Sequence, residues 1–262
     1  MLHLLKIEWL KVKNYKAFWI FSILYSFAIL GINYTGYYVN ELTVESMPQS
    51  QILFGSPYAF PKVWQTVGWM SSWLLYFPGI LFIMLLTNEF NYKTHRQNII
   101  DGWTRGQFVT VKFVFAILFC VIATFFNFLV ALLFGSITTG SHFSFSGIEN
   151  VGFIFIQTVA YITFAMFLAV LFRKSGVAIA VFFLFGLIFE FVISMLINLK
   201  LELSPLGYFL PLQVTDVMLP IPFGNKVLYK DAPSQYILVI GSLVYIAGYY
   251  FFAMKKFQND DL

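Results

Sequence analysis

Side chains able to perform chemistry are few in this sequence and scattered along it. Three histidines, His3, His95 and His142, lie far apart and lack the close spacing of a metal site, so no metal centre is expected. The single cysteine, Cys120, sits inside an apolar run, has no disulfide partner, and reads as a small buried apolar residue. No G-x-x-x-x-G-K-[ST] phosphate loop or other glycine-rich nucleotide motif occurs, and "GNKVLYK" at 224–230 lacks the spacing. An intramembrane enzyme would need His, Asp or Glu clustered near one face, and none is visible, so the chain is expected to be neither an enzyme nor the holder of a cofactor. Two features remain: one acidic residue deep in an apolar run, Glu190 in "IFEFVIS", and one dense polar stretch, "NEFNYKTHRQNIIDGWTRGQF", from Asn88 to Phe108.

Glu190 precedes Asn198 by eight residues, about 12 Å of helix and too far for its side chain to reach water. Two readings stand: a functional carboxylate facing a cavity or partner helix, and a protonated acid held by a hydrogen bond between helices. Asn127 joins Glu190 as a candidate for a substrate pathway, although Asn127, Gln157 and Thr158 equally suit helix packing. Gly241 and Gly248, seven apart, permit close helix approach.

The elements that position these residues must lie in lipid. Of 262 residues 60% are hydrophobic and 11% charged, where a soluble domain carries about a quarter charged residues. Six runs reach the roughly 20 apolar residues that a helix needs to cross a bilayer: Ala17 to Val39, Val67 to Thr87, Val109 to Ser136, Val151 to Phe172, Val177 to Asn198 and Tyr236 to Met254. The expected fold is an all-α integral membrane protein with six transmembrane helices in a single domain, residues 1–262. Of the sixteen Lys and Arg, twelve fall before the first span, after the second, after the fourth and beyond the sixth, leaving Lys62, Lys200, Lys226 and Lys230 on the other side. The positive-inside rule then predicts both termini in the cytoplasm and a multi-pass protein of the cytoplasmic membrane. Basic residues confined to such flanks are topology signals, and the net charge of +4 carries no expectation of nucleic acid binding.

"MLHLLKIEWLKVKNYK" opens the chain with four lysines and shows no cleavage site. Residues 1–16 read as an interfacial helix with a modest apolar stripe of Leu2, Leu5, Trp9 and Val12, or as a plain basic lead-in to the first span. The outer loop from Asn40 to Thr66 carries Pro48, Pro57 and Pro61, with Trp64 near the membrane. The second outer loop, Leu199 to Ser234, holds five prolines among apolar residues, which suits short helices dipping into the outer leaflet or an irregular lid packed on its own chain.

Within the polar stretch, Glu89 and Lys93 are spaced to pair across one helical turn. Thr94 to Ile100 then permits a short helix with Ile99 and Ile100 apolar and His95, Arg96, Gln97 and Asn98 polar. Gly102 is placed to end it, and Thr104 with Gln107 fits a capping box before the third span. The result is a rigid elbow on the cytoplasmic face, whose donors and acceptors suit a docked soluble partner better than catalysis.

This segment closely resembles the cytoplasmic signature of type-2 ATP-binding-cassette (ABC) transporter permeases. The positions that carry the resemblance are Glu89, Thr94, Arg96, Asp101, Gly102, Thr104, Arg105 and Lys112, with Lys93 and Thr94 replacing the family's more usual Gly-Thr. "LLKIEWLKVKNYKAFW" and the "LFRKSG" turn at Leu171 to Gly176 look like that family's elbow helix and second cytoplasmic contact. The resemblance implies a permease without its own ATPase, working with a second permease chain (a homodimer or a paralogue) and cassette-type ATPase subunits that bind ATP and Mg. It implies ATPase coupling through Glu89, Lys93, Thr94, Arg96, Gln97, Asp101, Arg105, Arg173 and Lys174, and export of a cargo expected to be amphipathic or lipid-like. The alternative is an ATPase-independent secondary transporter or channel, against which stands the single intramembrane ionisable residue, Glu190. A structural subunit of a larger membrane assembly is a further alternative.

Overall fold

The structure is a computed structural model that describes residues 1–46, 56–222 and 231–259. Lys226, Lys230 and Pro48 of the expected outer loops therefore lie outside the described residues. Among those described, the chain is all-helical. Five helices are long and apolar enough to cross a membrane, and six when one bent pair is counted as a single span.

An opening helix, α1 (Leu2–Lys13), leads into α2 (Lys16–Ser46). The corner between them is fixed by Trp19 Nε1, which donates to Lys13 O at 2.8 Å, and by Trp9, which packs edge-on against Phe18 and Trp19. Helix α2 runs past its expected end at Val39, because "NELTVES" contains neither proline nor glycine to stop it. Asn40 to Ser46, expected in the first outer loop, are thus helical.

The expected second span, Val67 to Thr87, is two helices. α3 (Val63–Ser72) and α4 (Tyr76–Asn91) meet at a bend of 46°. Pro78 explains the break: it has no N–H to give the preceding turn and fits only in the first turn of a new helix. α5 (Thr94–Ile100) follows as a separate short helix. α6 (Arg105–Ile137) and α7 (Glu149–Phe172) are unbroken spans. Helix α7 is the axis of the bundle, with 78% of its most apolar window buried inside the protein against 17% for the next span. Ala160, Ala165 and Ala169 are fully buried on it, and their small side chains let neighbouring helices approach closely.

The fifth span, α8 (Ser175–Lys200), alternates between two geometries: Leu184–Phe189 and Leu196–Lys200 are π-helical, and Glu190–Met195 between them is α-helical. A hairpin then folds back against the bundle through a 3-10 turn, Leu206–Phe209, and α9 (Gln213–Asp216). The last span, α10 (Gln235–Asn259), passes the hairpin where Gly241 brings its backbone close to Val214. The first helix and the close of the last one reach the same end of the bundle, since Glu8 pairs with Lys112 while Phe257 stacks on Phe108 at 4.7 Å. That end is called proximal below, and the end with the hairpin distal.

Candidate functional site

At the proximal end the short helix, its glycine stop and the capping box of Asn88 to Phe108 form where the pattern places them. α5 spans Thr94 to Ile100, and Gly102 at φ +97° turns the chain in a conformation open to glycine. Thr104 Oγ1 accepts from Gln107 N at 3.1 Å while Gln107 Oε1 accepts from Thr104 N at 2.9 Å, closing the capping box of α6.

The faces of α5 differ from the expected division. His95 and Asn98 point inward and are buried, whereas Arg96, Gln97 and Ile100 are exposed, Ile100 by 78%. His95 Nδ1 lies 2.9 Å from Glu89 O, and its ring packs on Phe90 and Phe257. Burying a histidine beside a helix-end carbonyl satisfies both groups, which is why a polar residue takes the inner face. On the outer face Gln97 Nε2 donates to Asp101 Oδ1 at 3.0 Å.

Glu89 does not pair with Lys93. Helix α4 stops at Asn91, and Lys93 adopts a left-handed conformation, φ 56°, that takes it out of the helical spacing the pair requires. Glu89 instead joins Glu8 of α1 around the buried ammonium of Lys112 on α6. Lys11 completes the group, 3.5 Å from Glu89 and 3.8 Å from Glu8, so two carboxylates face two ammonium groups. Lys11 also donates to Asn98 Oδ1 at 3.3 Å and lies 5.6 Å from the Trp103 ring centroid. Four elements, α1, α4, α5 and α6, thus share one neutralised cluster. A cavity of about 10 Å³ adjoins it, bounded by Glu8 and Lys112 with Phe82, Leu85, Leu86, Phe115 and Met166, space for about one water.

The remaining expected coupling residues gather around this core. Arg105 donates to Gln258 O of α10. Arg173, at φ 53° after α7, lies 5.3 Å from the Phe90 ring, which brings the second turn beside the first, and Lys174 next to it is exposed. Glu8 and Lys11 are structural partners that the linear pattern left unassigned, and His95 and Asn98, expected on the polar face, are buried partners instead. Glu8 carried one local signal, as the single acid among the lysines of α1 and three residues before Lys11.

Glu190 and Asn127 have separate surroundings. Asn127 is buried on α6, and its Nδ2 donates to Ala123 O one turn back. Glu190, 2% exposed, uses both oxygens as acceptors: Leu212 N lies 3.0 Å from each, and Gln213 N lies 2.9 Å from Oε2. The carboxylate therefore caps the start of α9. Asp216, at the other end of α9, accepts from Gln157 Nε2 at 2.8 Å and Tyr161 Oη at 2.9 Å, both on α7. Burial pushes the Asp216 carboxyl up to about 6, with the bonds from Gln157 and Tyr161 pulling against it. Asn198 Oδ1 accepts from Gly207 N, and Tyr245 Oη donates to Phe209 O. The hairpin is held to three spans by these side chains, of which Asp216, Asn198 and Tyr245 carried no local signal.

A comparison with curated proteins returned no match. The family described as Protein of unknown function (DUF2705) matches residues 55–262, which include α3 to α10, the Glu89–Lys112 pair and the distal hairpin, and the chain belongs to that family.

Proposed function

We propose that the chain is the membrane-spanning permease subunit of an ABC exporter of the cytoplasmic membrane, driven by a separate cassette-type ATPase that binds ATP and Mg. One observation supports this reading above the others: α5 presents Arg96, Gln97 and Ile100 outward while its inner face is fixed to α1, α4 and α6 through Asn98, Lys11 and the Lys112 cluster. A partner gripping the outward face would therefore move three membrane-associated helices together. Closed hydrogen-bonded charge clusters resist separation in a low dielectric, so a push on α5 is passed on rather than absorbed. In this reading both termini and α5 are cytoplasmic, a second permease chain completes the pathway, and the cargo is amphipathic or lipid-like.

Co-expression with a cassette-type ATPase subunit from the same genome, followed by affinity purification, tests the reading. The two should co-elute, and Arg96→Ala or Asp101→Ala should reduce recovery of the ATPase or its stimulation by about tenfold, the scale of a lost charged interface contact. Transport by the purified chain alone in nucleotide-free vesicles would overturn it in favour of an ATPase-independent carrier.

A further inference from the structure

Two carboxylates, Glu190 and Asp216, sit within electrostatic range of each other at the distal hairpin, and no Lys or Arg among the described residues forms a salt bridge with either. Glu190 has its compensation in the backbone N–H groups of Leu212 and Gln213. Asp216 has less. Both of its donors, Gln157 Nε2 and Tyr161 Oη, converge on Oδ1, and Oδ2 takes no bond from the described residues. A second acceptor lies beside it. Gln157 is 1% exposed and its Oε1 has no hydrogen-bond partner, while its Nε2 is already on Asp216. Amide geometry keeps that Oε1 within about 5 Å of the Asp216 carboxylate. A buried amide oxygen left unpaired is costly unless something donates to it.

The walls are aromatic. Tyr76 stands edge-on to Tyr161 at 5.6 Å, stacks on Phe183 at 5.0 Å, and lies in electrostatic range of both carboxylates. Asp216 itself is only half-buried, so the group can be reached. An anionic oxygen and an unpaired amide oxygen beside aromatic rings together recognise a cation that carries several N–H donors. Calcium and magnesium take six or more oxygen ligands, more than converge here. A guanidinium makes its strongest contact through both carboxylate oxygens, and Oδ1 already accepts two bonds. An ammonium group, compact and with three donors, fits Oδ2, Gln157 Oε1 and the rings.

We propose that Asp216, Gln157 and Tyr161, backed by Tyr76, bind the ammonium group of a primary alkylamine, the cationic head of an amphipathic molecule. That the molecule is cargo rests on the export-permease reading; that it binds does not.

The test uses the full chain in nanodiscs, with protein-free discs as background, and follows 2-phenylethylammonium and its neutral isostere 2-phenylethanol by saturation-transfer NMR. The ammonium should bind at least tenfold more tightly than the alcohol. Asp216→Asn, which keeps an acceptor for Gln157 and Tyr161, should weaken the ammonium at least tenfold and leave the alcohol unchanged. Tyr161→Phe, which keeps the carboxylate, should weaken the ammonium by a smaller factor. Potassium should not displace the ammonium at matched ionic strength. Equal binding of ammonium and alcohol, indifference to Asp216→Asn in a protein whose unfolding remains cooperative, or displacement by potassium would each overturn the proposal. Because no ATPase is present, ammonium binding without ATPase association refutes the permease reading and keeps the site, and ATPase association without ammonium binding does the reverse.

Discussion

Lys112 is held by carboxylates from two other elements, Glu8 and Glu89, in a part of the protein that water barely reaches. Removing the ammonium would leave two buried anions with Lys11 alone. Lys112→Met is therefore expected to destabilise the protein by about 3–5 kcal/mol, the cost of breaking a buried ion pair from one side. The triple change Lys112→Met, Glu8→Gln, Glu89→Gln should recover much of that loss, because no charge is then stranded. Thermal unfolding in detergent checks both, and a triple variant no better than Lys112→Met alone would show that the charges are not mutually compensating. Asp216 behaves differently. Its folded carboxyl titrates near 6, above its ordinary value of 3.8, so the folded state holds the proton more tightly than the unfolded chain. The resulting stability is fully present below about pH 4 and is lost as pH rises through 6. Asp216→Asn should match wild type at pH 4 and exceed it in unfolding midpoint at pH 7; a midpoint below wild type at pH 7 contradicts this sign.

At the scale of elements, the proximal turn and the distal hairpin are secured by opposite kinds of signal. Gly102 and the Thr104–Gln107 capping box lie within a few residues of the groups they serve, so the short helix and its stops are legible from the sequence. Thr104→Ala should cost about 1 kcal/mol through loss of that cap, read as a lower unfolding midpoint. The Glu8–Lys112 pair spans 104 residues and the Gln157–Asp216 bond 59, so no local window contains either. Lys93 marks the reverse failure, where helical spacing promises a pair and a left-handed residue takes the side chain away. Glu190→Gln turns one acceptor into a donor opposite the N–H groups of Leu212 and Gln213. About 1–3 kcal/mol of hairpin docking should be lost, seen as faster hydrogen exchange over residues 205–219; unchanged exchange would retire the capping role.

At the scale of the molecule, apolar run length predicts an all-helical chain of six spans, and the helices give five candidates, or six when the bent pair is counted as one. The bend at Pro78 was hidden because the run Val67 to Thr87 has spanning length and no charged residue, and length alone does not register a proline. The proposed orientation has a direct check. With Cys120 replaced by alanine, Gln97→Cys and His142→Cys place single thiols at exposed positions near the proximal and distal ends. A membrane-impermeant maleimide should label His142→Cys in intact cells and Gln97→Cys only after permeabilisation. The opposite pattern would invert the molecule.

The wide turns flanking Glu190 give the fifth span a further property. A π turn holds about one residue more than an α turn, so tightening Leu184–Phe189 into α geometry would rotate everything beyond it by about 100°. Such a twist would swing the carboxylate off Leu212 and Gln213 and release the distal hairpin, without any need for the span to slide along the bilayer normal.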